Sequence, residues 1–167
     1  SPFFIYLCHN MTHNPLAASL AFKGKSQNGL YGDATEELDW SMGVLLETLK
    51  EEGLDQNTLV IFTSDNGADE HFGGTNRPLR GQKGTTYEGG FRVPCIMRWP
   101  AKIPAGQETD NLVTSMDFLP TLAHYCGYAV PSDRVIDGHN VSGILEGESM
   151  ASPTETFYYY QKQQLQA

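Results

Sequence analysis

The sequence predicts an α/β fold, a mostly parallel sheet flanked by helices, and three observations point there. Phe3-Phe4-Ile5-Tyr6-Leu7 is an unbroken apolar run of strand length, as expected for a strand covered on both faces. Between Asp33 and about Glu52, Leu38, Met42, Leu45, Leu46 and Leu49 recur at helical spacing. Thr58–Thr63 then repeats the first pattern, a short apolar run bounded by polar residues.

Taken in order, Phe3–Leu7 ends in a polar loop, Cys8–Pro15. The helix carries Glu36, Glu37 and Asp39 near its start and Lys50 near its end, which complements its dipole, and Gly53 stops it. A right-handed strand, helix, strand crossover makes residues 3–7 and 58–63 parallel. The Cys8–Pro15 and Ser64–Gly67 loops should then open on one side, where ligands bind in such sheets. Ala68–Gly90 is glycine-rich and lacks either periodicity, a long loop of the kind kept for function. Arg92–Trp99 reads as a third strand, and Ser115–Tyr125 as a helix with Pro120 near its first turn and Gly127 at its end. Val130–Gly147 is irregular apart from one helical turn, and Phe157–Tyr160 reads as a final strand.

The 167 residues, 40% apolar and 19% charged, suit one globular domain and exclude disorder, a collagen-like fibre and a coiled coil. Eleven Lys and Arg against twenty Asp and Glu give a net charge of −9, which repels a phosphate backbone or an anionic membrane, so nucleic acid and membrane are excluded as partners. No apolar run approaches the ~18–20 residues of a membrane span, and no signal peptide is legible after Ser1-Pro2. Cys8, Cys95 and Cys126 are odd in number, lack a CxxC pair and are expected to be buried, inert thiols. Sequons at Asn10-Met11-Thr12 and Asn140-Val141-Ser142 matter only in a glycosylating secretory pathway.

Three features could carry chemistry. Asp65-Asn66 sets two oxygen-donor side chains together at a strand end before a glycine, the ligand chemistry of a hard divalent cation; alone, the same tripeptide is a plain Asx turn. His13, in Thr12-His13-Asn14-Pro15, could donate to an anionic ligand, with His9 as the competing imidazole. Arg77-Pro78-Leu79-Arg80-Gly81-Gln82-Lys83-Gly84 puts three cations and two glycines in one loop of an acidic chain, which suits an oxyanion or, alone, a solvated basic patch. Jointly, a carboxylate-amide pair, a histidine and a lysine-bearing loop on one rim suit a tetrahedral oxyanion ester bound through a metal.

Pro2–Leu7, Thr12–Leu16, Thr58–Gly67 and the long stretch Arg77–Pro94 resemble the type I sulfatases, arylsulfatase-like members of the alkaline-phosphatase-like superfamily. Met116–Leu122 and Ile136-Asp137-Gly138 add to that resemblance in the same order along the chain. It implies an incomplete alkaline-phosphatase-like fold in which residues 1–150 form the C-terminal part of the catalytic domain and 151–167 start a small, truncated C-terminal subdomain strand. It further implies hydrolysis of sulfate esters on a small molecule or sulfated glycan, with Asp65 and Asn66 ligating Ca2+. Lys83 would hold the sulfate and the leaving oxygen, and His13 would donate to either. Location would be periplasmic, secreted or lysosomal, and oligomeric state stays open.

The family's nucleophile is a formylglycine made from the cysteine of a Cys-x-Pro-x-Arg motif, and Cys8, Cys95 and Cys126 all lack that context. Formylglycine is therefore expected in an upstream segment, and the chain alone is expected neither to turn over sulfate esters nor to bind calcium tightly. Two further readings stay open: a phosphodiesterase, phosphonate hydrolase or phosphoethanolamine transferase of the same superfamily, or a non-catalytic binding module derived from a sulfatase. The leaving group is read by variable loops, in which Asn76 and Arg77 are candidate contacts and His71 is expected as a surface loop residue rather than a ligand.

Overall fold

The computed structural model describes residues 1–148, 151–161 and 164–165, the side chain of Gln161 excepted. The chain divides into two compact units, one made of Ser1–Asp55 and Ser64–Pro94, the other of Gln56–Thr63 and Cys95–Ala167.

The first unit is organised by helix α1, Gly29–Glu51. It begins about one turn before Asp33, where the sequence places its start, because that start is set by backbone and polar groups. Ser26 Oγ accepts from the N–H of the N-cap residue Asn28 at 3.0 Å. Asp33, expected at the helix start, lies in the second turn, 2% exposed. Its carboxylate folds back to accept from Gly24 N (2.7 Å), Lys25 N (3.1 Å) and Ser26 N (2.8 Å). Those backbone donors hold its carboxyl below the usual carboxylate range. A Cβ on Gly32 would run into Ser26 Oγ, so only glycine lets the loop lie this close. At the far end Gly53, in the left-handed region (φ 68°), donates to Lys50 O and closes the helix as expected. Leu38, Met42, Leu46 and Leu49 are half-buried, whereas Trp40 and Val44 are exposed.

The second unit holds β1, Val60–Thr63, and β2, Cys95–Arg98, in an antiparallel ladder with Val60 opposite Arg98 and Thr63 opposite Cys95. A 3₁₀ turn at Ser115–Asp117 leads into α3, Phe118–Tyr125, and α4 is the single turn Ser142–Leu145. Helix α2, Glu88–Phe91, belongs to the first unit. Tyr160–Gln161 and Gln164–Leu165, β3 and β4, pair antiparallel, so the strand expected at 157–160 is shorter and later.

The core of the second unit is built on a carboxylate too. Asp117, 1% exposed, accepts from Thr114 N (2.6 Å), Thr114 Oγ1 (3.1 Å) and His139 N (2.7 Å). Thr121 Oγ1 takes the Val141 N–H at 3.0 Å, and Val141 and Ile144 are buried. A Cβ on Gly138 would overlap the Met116 carbonyl. The two motifs Met116–Leu122 and Ile136–Gly138 thus meet through backbone contacts.

Two expectations require correction. Phe3–Leu7 is not a strand: its backbone enters no ladder among the described residues, and Phe4, Ile5 and Tyr6 are 80%, 69% and 83% exposed. The parallel pairing with residues 58–63 is absent among the described residues because β1 pairs antiparallel with β2, and a strand without a neighbour gains nothing from its pattern. The three cysteines are exposed rather than buried; Cys8 follows the uncovered run, Cys95 opens β2 and Cys126 caps α3. No helix among the described residues is long and apolar enough to cross a membrane.

Candidate functional site

All four residues singled out as a site, His13, Asp65, Asn66 and Lys83, fall in the first unit. Asp65-Asn66-Gly67 directly follows β1 in the chain, and Ser64 Oγ donates to Asn66 O at 3.0 Å, forming the turn. Gly67 anchors it: its N–H donates to Gly90 O at 3.0 Å, and a Cβ there would overlap the Gly89 carbonyl. Gly89 N donates to Arg80 O (2.7 Å), and its own missing Cβ makes room for the Gly81 carbonyl. Backbone thus lies on backbone from Gly67 through α2 to the Arg80-Gly81 turn, an approach only glycines permit.

The lysine loop is tied to the same turn. Lys83 N donates to Ala68 O at 3.1 Å, so its main chain sits against the residue three positions after Asp65. Asn76 clamps Ala68 from the other side, Oδ1 accepting from Ala68 N (2.7 Å) and Nδ2 donating to Ala68 O (2.8 Å). Asn76, expected as a substrate contact, has both ends of its carboxamide committed here and is a positioning residue for the loop. The Lys83 side chain is exposed. Its ammonium also acts, as the weakest of several influences, on Asp69. The His71 imidazole and backbone N–H chiefly hold that carboxyl below its ordinary range, His71 Nδ1 lying 2.9 Å from Asp69 Oδ1. His71 is thereby occupied with Asp69.

The other two cations of the loop differ from Lys83. Arg80 lies over the Tyr87 ring, 3.9 Å from its centroid, and donates to the Tyr87 hydroxyl at 2.9 Å. Arg77 follows Thr75, whose Oγ1 accepts the Arg77 N–H at 3.3 Å.

The first loop reaches this cluster at two places. Tyr6 is hydrogen-bonded to Cys8, which with the more distant Asp65 carboxylate raises its hydroxyl above the ordinary value. Thr12 Oγ1 donates to the Tyr31 hydroxyl at 3.3 Å, and the Tyr31 ring fills the space beside Gly73 and Gly74, next to Ala68. His13, beside Thr12, is exposed and has Nδ1 2.7 Å from the Asn14 carbonyl, which leaves Nε2 as the outward nitrogen. His9 instead has Nε2 3.5 Å from Ser41 Oγ. Tyr31 was missed by sequence reasoning, since a tyrosine in a helical first turn carries no periodic signal.

The donor chemistry here is oxygen only. Asp65 offers a carboxylate and Asn66 a carboxamide, hard ligands of the type calcium takes. Among the described residues no group of three or more His, Cys, Asp and Glu could hold a metal ion.

Residues 1–128 match the family model described as Sulfatase. The chain belongs to the sulfatase family. It is 44% identical over 168 residues to human steryl-sulfatase, covering 96% of this chain and 29% of that protein. With the dog N-acetylgalactosamine-6-sulfatase it shares 45% identity over 163 residues, covering 95% of this chain and 31% of that protein. Among solved structures, PsFucS1 sulfatase from Pseudoalteromonas sp. superposes with a TM-score of 0.85 at 35% identity, over 93% of this chain and 32% of that one. Ps i-CgsB in complex with k-i-k-neocarrahexaose gives 0.80 at 37% identity, over 88% and 34%. The sulfatase chain described here therefore spans about a third or less of the length of these relatives. The expected α/β fold of the alkaline-phosphatase-like type, incomplete in this chain, is borne out by these superpositions.

Proposed function

We propose that this chain carries the leaving-group and metal-binding side of a calcium-dependent sulfuric ester hydrolase acting on a sulfate ester, small molecule or sulfated glycan. The observation that supports it most is the single backbone network through Ala68 and the glycines, which ties the Asp65-Asn66 turn to the Lys83 loop. Residues 1–150 would be the C-terminal part of the catalytic domain, and 151–167 would start the subdomain after it. An exported or lysosomal location accords with sulfatase kinship.

In this reading Asp65 and Asn66 hold calcium, which when bound polarises the sulfate oxygens. The exposed Lys83 ammonium meets the sulfate and the oxygen that departs, where negative charge grows in the transition state. His13 donates from Nε2 to that oxygen, its Nδ1 being turned to the Asn14 carbonyl. The exposed side chains of His13, Asp65 and Lys83 are open to a ligand, whereas Asn76 and Arg80 are spent on the loop itself.

The sequence contains no Cys-x-Pro-x-Arg, so the family's nucleophile would come from a segment outside it. The test joins this sequence to such a segment in a sulfatase-length polypeptide and replaces Asp65 by Ala. Aryl sulfate turnover is expected to fall at least ~100-fold with its calcium dependence shifted upward; unchanged turnover and calcium dependence would refute the assignment. The 167-residue chain alone is expected to show neither turnover nor a sub-micromolar calcium site in calorimetry, and the presence of both contradicts the division of labour.

A further inference from the structure

We propose that Asn140 is an N-glycan attachment site, taking an oligosaccharide from a lipid-linked pyrophosphate donor. Asn140-Val141-Ser142 is an acceptor sequon with a residue other than proline in the middle. The proposed sulfatase chemistry does not use this tripeptide, and its first residue is exposed at the surface.

Asn140 is exposed, while Val141 is 2% and Ser142 8% exposed, so the acceptor stands at the surface just where the chain turns inward. Its carboxamide is oriented: Oδ1 accepts from Ser142 N at 3.0 Å, which points Nδ2 away from the backbone of α4. Among the described residues no hydrogen bond engages Nδ2. An open cleft of about 230 Å³, lined by Val141, Ile144 and Pro153 among others, adjoins the side chain and leaves room for the first sugar.

In the transfer, Nδ2 forms the C–N bond to the anomeric carbon of the first sugar and the carbon–oxygen bond to pyrophosphate breaks. The lipid pyrophosphate leaves with that electron pair, and the amide proton passes to the transferase. The second sequon, at Asn10, differs in its setting. The Asn10 carbonyl accepts the His13 N–H (3.2 Å) and Thr12 Oγ1 is bonded to Tyr31, so a glycan there would stand three residues from His13 in the candidate site. Asn140 lies in the unit that holds none of the four site residues.

The sulfatase-length polypeptide that carries this sequence, led by a secretory signal and bearing one reporter sequon on a terminal tag, is secreted from animal cells, treated with peptide N-glycosidase and mapped by mass spectrometry. The expected result is Asp at position 140 after treatment, and loss of one glycan mobility step in Asn140→Gln and in Ser142→Ala but not in Ser142→Thr. The wild-type peptide map answers the question even where a variant misfolds. An unmodified Asn140 in chains whose reporter sequon is occupied overturns the proposal. This outcome is independent of sulfatase activity.

Discussion

Residues 64–91 and the run Phe3–Leu7 belong to the same unit, and their contrast shows what each kind of sequence needs. The glycine loop finds its partners within itself: Gly67 on Gly90, Gly89 on Arg80, Ala68 between Lys83 and Asn76. Its order rests on donors and acceptors that all lie within residues 67–90. Phe3–Leu7 has the stronger apolar signal but stays exposed, because a strand's stabilisation comes from a neighbour that no described element provides. The loop closes on itself, whereas Phe3–Leu7 pairs with no strand among the described residues.

The largest effect that sharpens this contrast is expected at the glycines. Gly67→Ala forces a methyl onto the Gly89 carbonyl, a backbone atom that cannot swing aside, and should cost about 1–3 kcal/mol, read as a lowered urea midpoint with unchanged slope. An unaltered midpoint would mean that the loop is not closed as described.

The second effect is in pH. Asp33 is held below its unfolded value of about 4 by the Gly24, Ser26 and Lys25 N–H groups, so it contributes stability above that pH. The contribution is lost as pH falls through the folded value. Wild type should therefore exceed Asp33→Asn in urea midpoint near neutrality, and the two should converge in acid. A gap that widens on acidification has the wrong sign for this carboxylate.

The smallest effect is expected in the apolar run. Ile5→Ser, at a position 69% exposed, should change the stability of this chain by no more than about 0.5 kcal/mol. A loss of the size expected for Gly67→Ala would show that Phe3–Leu7 is packed after all.

Much of the helical structure was legible in the sequence because its signals are local. Gly53 and Gly127 end their helices in the left-handed conformation, and Pro120 sits within the opening turn of α3. The start of α1 was not, since Asn28, Ser26 and Asp33 fix it through hydrogen bonds without apolar periodicity. Sheet pairing was read wrongly for the opposite reason. Periodicity says that a run can be buried, not what lies next to it.

Of the site, the Asp65-Asn66 turn and the cationic loop were legible as motifs. Their attachment through Ala68 was not, because it uses main-chain atoms and the ordinary residues Asn76 and Tyr31. Asp33 and Asp117, buried and each bound by three donors, are structural carboxylates, in contrast to exposed Asp65.

The most direct test sets the two cations of one loop against each other in the sulfatase-length polypeptide. Lys83, with an exposed ammonium, is assigned to the sulfate and the departing oxygen, whereas Arg80 is stacked on Tyr87. The ratio of kcat for Lys83→Ala to that for Arg80→Ala on an aryl sulfate, each at saturating calcium, should be about 0.01 or lower, with Arg80→Ala near wild type. A ratio near one, or a larger loss at Arg80 than at Lys83, would contradict the account.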